Sequence, residues 1–186
     1  RAAKPRLGAN CWRRSGEVPR HATGRGPRRD PDATLYVFKV ALAQDKSVWR
    51  RIAVRSDQTL DHLHAGIFSA FDRFDEHLYS YYLAPLGPKG RAALRDAVEY
   101  TSLITLEEPD AFGGHEVFDA SQAAVGSLGL TPGREFRYIF DFGDSWWHEI
   151  TVEQTDGSPE RRRYPRVVGK RGESPPQYPE LEDDRE

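Results

Sequence analysis

Residues 136–152, FRYIFDFGDSWWHEITV, constrain the fold more than any other stretch. Phe136, Tyr138, Phe140 and Phe142 alternate before Gly143, and Trp146, His148, Ile150 and Val152 alternate after it. Period-two alternation on both sides of a turn residue predicts a β-hairpin. A three-residue loop, Gly143-Asp144-Ser145, pairs Phe142 with Trp146, Phe140 with His148, Tyr138 with Ile150 and Phe136 with Val152. That register gathers the apolar side chains on one face and puts His148 among them. Asp141 and Trp147 then point the other way.

Upstream, TLYVFKVAL (34–42) alternates Tyr36, Phe38, Val40 and Leu42, and predicts a strand. SVWRRIAVR (47–55) predicts a second, with AQDKS as the loop between them. The period then changes. Leu60, Leu63, His64, Ile67, Phe68 and Phe71 follow the spacing of an amphipathic helix, with Asp57 or Thr59 as its N-cap. HLYSYYL (77–83) predicts a third strand. Between residues 84 and 133 the pattern weakens: RAALRDAVEY reads as a short helix, SLITL as an extended segment, Asp119 as a cap before a short helical piece, and Pro132-Gly133 as a turn. After Gly157 periodicity is lost, though Tyr164, Val167 and Val168 can still pack.

Charge is divided along the 186 residues. Residues 1–34 carry net +6, residues 35–159 net −8, and six acids lie in the last fourteen positions. We expect residues 1–33 to form a disordered basic arm, residues 34–172 the folded domain, and residues 173–186 a disordered acidic tail. An acidic middle region is poorly suited to phosphate binding, so any contact with nucleic acid is expected through the arm. One cysteine, Cys11, excludes an internal disulfide and a cysteine-based metal site, and points to a reducing, cytoplasmic setting. No apolar run reaches the roughly 20 residues of a membrane span, and the Arg-rich N-terminus has no apolar signal core.

His64 and His148 fall at inward positions and His77 begins a strand beside Asp75 and Glu76. No cofactor is predicted, although three imidazoles on separate elements are candidate ligands for a transition metal. Asp141 and Asp144 flank Gly143, and are candidate catalytic carboxylates with His64, His77 and His148. The plainer reading makes each histidine a satisfied core or boundary residue, and makes the two aspartates turn residues that bond nearby amides. Trp49, Trp146 and Trp147 read as core anchors. Arg50, next to Trp49, is expected to turn inward and pair with an acid. No phosphate loop, nucleophile elbow or zincin helix is present.

Taken in order, YVFKVAL, VWRRIAV, QTLDHLHAGIFSAF, DEHLYSYYL, FRYIFDFGDSWWHEITVEQ and YPRVVGKRGESPP resemble the plasmid pRiA4b ORF-3-like family, whose members are often labelled passenger proteins of insertion sequences with a TnpR-type name. The resemblance runs from Leu35 to Pro176. It implies an α+β domain with a mixed or antiparallel sheet, a helix packed on one face and a β-grasp-like core. It marks Trp49, Arg50, His64, His77, Asp141, Gly143, Asp144, Trp146 and His148 as motif positions. Many members carry a second His where Tyr79 stands here. Two functions follow: an accessory or interaction domain with an unknown protein partner and no catalytic activity, or a metal-binding or hydrolase-like protein with a His/Asp pocket. The recombinase suggested by the label lacks a nucleophile ringed by arginines.

Overall fold

The computed structural model describes residues 30–83, 94, 97–102 and 116–178. The arm to residue 29, most of RAALRDA and SLITL, and the tail beyond residue 178 lie outside the described residues. Eight strands follow in chain order: β1 (Leu35–Leu42), β2 (Trp49–Arg55), β3 (Tyr79–Leu83), β4 (Val98–Thr101), β5 (Val117–Asp119), β6 (Glu135–Phe140), β7 (Trp146–Gly157) and β8 (Arg166–Arg171). Helix α1 (Leu60–Ala70) lies between β2 and β3 in sequence. One sheet holds all eight strands in the order β5-β4-β3-β6-β7-β1-β2-β8. Among the described residues its only parallel pair is β4–β5, so the sheet is mixed and the fold is α+β.

Alternation decides which face is buried. Tyr36, Phe38, Val40 and Leu42 of β1 join Phe136, Tyr138 and Phe140 of β6 and Trp146, Ile150 and Val152 of β7 in one core. Helix α1 packs on that core through Leu60, Leu63 and Ile67, and Phe71 closes it. Thr59 is the N-cap residue; Asp57 instead takes two hydrogen bonds from Arg55, at 2.8 and 3.0 Å. Tyr82, Ala97 and Ile139 form a small cluster from positions of opposite parity, with Phe142 and Trp147 packed against it.

The hairpin exists, with a different register. Phe140 pairs with Trp146, Tyr138 with His148 and Phe136 with Ile150. The turn is therefore five residues, Asp141–Ser145, where three were expected. Asp141 ends the strand because it takes a left-handed conformation (φ 57°), as does Ser145 (φ 55°). Its Oδ1 accepts the Gly143 and Asp144 amides at 2.9 and 3.3 Å, and its carbonyl accepts the Ser145 amide. A displacement of two residues keeps the paired side chains on their expected faces, but Phe142, expected opposite Trp146 on the core face, falls in the turn and packs against the small cluster instead.

Other expectations need correction. Val98–Tyr100, read as the end of a helix, belong to strand β4. The aperiodic stretch after Gly157 contains edge strand β8, whose Val167 and Val168 stay exposed. Edge strands bury little, so they need no alternation. Arg50 is buried, but its hydrogen bonds go to the carbonyls of Ala70, Trp49, Arg171 and Gly172 at 2.8–3.1 Å, not to a carboxylate. Trp49 is only half-buried, with the Arg51 guanidinium 4.6 Å from its ring. Within the tail expected from residue 173, Gln177 is buried and bonds the backbone of Phe74 and Asp75.

Candidate functional site

His64 reaches the core from α1. Its ring stacks on Tyr79 at 3.8 Å, and its Nδ1 shares a 2.8 Å hydrogen bond with the Tyr138 hydroxyl. Tyr79 donates in turn to Asp61 at 2.7 Å. Burial holds the His64 imidazole at a pKa of about 4, so it is neutral near pH 7.

Across Tyr138 lies His148, 1% exposed, with its ring 5.4 Å from the tyrosine ring. Its Nδ1 is 2.9 Å from the Trp146 carbonyl. A carbonyl only accepts, so Nδ1 carries the proton and Nε2 of the neutral ring keeps a lone pair. That Nε2 is buried and has no hydrogen-bond partner. Burial is the main force holding this pKa at about 3, and the nearby Arg73 charge adds to it.

His77 lies on the loop between α1 and β3, with its ring 6.0 Å from that of Phe140. Its Nε2 sits 2.8 Å from the Tyr178 hydroxyl and 3.5 Å from a carboxylate oxygen of Asp75 and of Asp141. Tyr178 donates its own proton to Asp75 at 2.7 Å. The His77 Nε2 must therefore be the donor to that hydroxyl, and has no lone pair for a metal in this arrangement. Asp141 is occupied by the turn amides, and Asp144 gives its amide to Asp141. Among the described residues, no group of three or more His, Cys, Asp or Glu could hold a metal ion.

Sequence reasoning missed Arg73, which is 6% exposed on the loop after α1. Its Nη1 donates to the Pro175 carbonyl at 3.0 Å, and its guanidinium lies 3.9 Å from the centre of the Trp146 ring. Its Nε and Nη2 are buried without partners, as is the Trp146 Nε1. Arg73 and His148 line one narrow cleft with Tyr138 and the apolar Ile67, Phe71 and Phe140. An Arg inside DRFDEH carries no periodic signal, because loops have no fixed inward face.

The family model described as "Plasmid pRiA4b ORF-3-like protein" matches residues 34–178. The uncharacterized protein y4hQ of Sinorhizobium fredii is 26% identical over 125 residues, covering 66% of this chain and 55% of that protein. The chain thus spans little more than half the length of this curated relative. A crystal structure of a protein of unknown function from Methanosarcina mazei Go1 superposes with a TM-score of 0.60 at 20% identity, covering 78% of this chain and 73% of the other. That similarity shows the shared fold.

Proposed function

This chain belongs to the plasmid pRiA4b ORF-3-like protein family, and from that premise we propose that it is a mobile-element-associated accessory or interaction domain whose motif histidines serve the fold. One observation carries the reading: His64, His77 and His148 each have a separate partner, a tyrosine hydroxyl, a second tyrosine hydroxyl and a backbone carbonyl. Catalysis or metal binding needs such groups to converge on one reacting atom or ion. The association with mobile elements rests on the family resemblance. In this reading the protein acts in the cytoplasm on a protein partner, and residues 1–33 add a salt-sensitive contact with nucleic acid. No helix among the described residues is long and apolar enough to cross a membrane.

A metal-binding or hydrolase-like role has one observation in its favour: Asp75 and Asp141 both approach His77. Metal analysis of untagged protein purified without chelator separates the two. The interaction domain carries far less than one transition metal per chain, and His77→Ala leaves that content unchanged. Near-stoichiometric metal that is lost in His77→Ala establishes the second role.

A further inference from the structure

We propose that Arg73, Trp146 and His148 form a binding site for a carboxylate group on a partner molecule. This deepens the interaction-domain reading by naming the chemistry that the domain recognises.

The argument begins with donors that lack acceptors. The Nε and Nη2 of Arg73 form the side of the guanidinium that takes a carboxylate in two parallel hydrogen bonds. Elsewhere in this chain that side is used in just this way. Arg51 places Nε and Nη2 on Glu153 at 2.6 and 3.0 Å, and Arg55 places the same atoms on Asp57 at 2.8 and 3.0 Å. Arg73 is as buried as Arg55, yet the same two atoms meet no acceptor. Nearly all buried polar groups find a partner, and a charged donor left without one is especially costly. Trp146 Nε1 is a third unpartnered donor, on the ring that the Arg73 guanidinium covers.

A buried water does not resolve the deficit, because the cleft beside Arg73 is too narrow to hold one as it stands. The strap Ser174–Tyr178 pins the loop that carries the arginine. Ser174 donates to the Phe71 carbonyl at 2.7 Å, Arg73 donates to Pro175, and Gln177 accepts from the amides of Phe74 and Asp75. Phe74 projects from this loop and is 73% exposed. An incoming group therefore enters where the Ser174–Tyr178 strap lifts from this loop, with Arg73 kept on the Trp146 ring.

Charge selects the ligand. Arg73 supplies one positive charge, already offset in part by Asp72, and His148 is neutral, so the site favours a ligand with a single negative charge over a doubly charged one. A carboxylate carries one, whereas a phosphate monoester carries close to two. Ile67, Phe71 and Phe140 favour an apolar substituent next to the carboxylate. The His148 Nε2 lone pair can accept a proton donor from the ligand, such as the amide N–H of a chain ending in a free carboxylate.

Indole and guanidinium 15N NMR on the full chain tests the site, with the Trp146 Nε1–H assigned by its absence in Trp146→Phe. The probes are butyrate, a short acetylated peptide with a free C-terminal carboxylate, the C-terminal amide of that peptide, and inorganic phosphate, all at constant ionic strength. The site predicts a saturable shift of the Trp146 and Arg73 signals with a carboxylate probe. It also predicts affinity at least about tenfold lower in Arg73→Lys, which keeps the charge and loses the fork. A stronger response to the peptide than to butyrate identifies a chain terminus as the source, and the reverse identifies a free acid. No saturable shift, an equal response to the amide, tighter binding of phosphate, or unchanged affinity in Arg73→Lys overturns the site. If these failures came with protein free of metal, the interaction reading would stand without this ligand.

Discussion

At the scale of single residues, His148 and His64 show how buried imidazoles tie the fold to pH. Unfolded, each titrates near 6.5; folded, His64 is held at about 4 and His148 at about 3. Between those values the unfolded chain binds the extra proton, so stability is intact above pH 6.5 and falls as pH drops towards 3. Each group contributes a slope of about 1.4 kcal/mol per pH unit within its window. His148→Asn keeps a donor for the Trp146 carbonyl and removes the titration. Urea denaturation from pH 7 to pH 4 is expected to show roughly half the wild-type slope, at an overall cost in packing. Tyr138→Phe removes the hydroxyl that partners His64 and is expected to cost about 1–3 kcal/mol in the same assay at pH 7. Periodicity alone placed both histidines inward, and that position was legible. Their partners were not, because a hydrogen bond between residues 64 and 138 depends on the packing of α1 against β6.

Among the elements, the hairpin turn and the helix each carry a local rule that tertiary contacts bend. The alternating aromatics made strands β6 and β7 legible, yet the turn between them was read two residues too short. The reason is Asp141: its left-handed backbone and its bonds to two turn amides end the strand before Phe142. Asn tolerates that conformation and keeps a side-chain oxygen. Asp141→Asn is therefore expected to fold with nearly native stability, whereas Asp141→Ala loses about 1–2 kcal/mol in thermal or urea denaturation. In α1, Gly66 reads as a defect, since Ala in an open helix gains about 1 kcal/mol over Gly. Here a Cβ at Gly66 would lie 2.8 Å from Pro165 Cβ and 3.2 Å from Ile52 Cγ2. Gly66→Ala is thus expected to destabilise the protein by about 1–3 kcal/mol, the reverse of the helix scale. Strand β8, just beyond Pro165, was illegible because an exposed edge has no buried face to enforce alternation.

For the whole molecule, the α+β class followed from strand, strand, helix and strand in sequence, whereas the strand order did not. Pairing β1 with β7 joins residues more than a hundred positions apart, and no local pattern records such a contact. The β-grasp-like core implied by the resemblance goes beyond what the strand pattern carries. The C-terminal strap was hidden for a related reason: Gln177 and Tyr178 lie in a Pro-rich, charged stretch that composition marks as unstructured. Removing residues 173–186 is expected to lower the melting temperature, by about 2–4 °C for each kcal/mol lost. It should also speed amide hydrogen exchange at Phe74 and Asp75, whose N–H groups lose the Gln177 acceptor. The central claim is that the motif histidines hold the fold together separately and do not form a shared metal centre. Imidazole 15N NMR of the unmodified chain, recorded from pH 8 to pH 4 with and without one equivalent of zinc, tests it most directly. The account predicts that His148 stays neutral throughout, that His64 remains neutral at pH 5, and that zinc leaves the signals of His64, His77 and His148 in place. Titration of His64 or His148 near pH 6.5, or stoichiometric zinc shifting all three rings together, would contradict it.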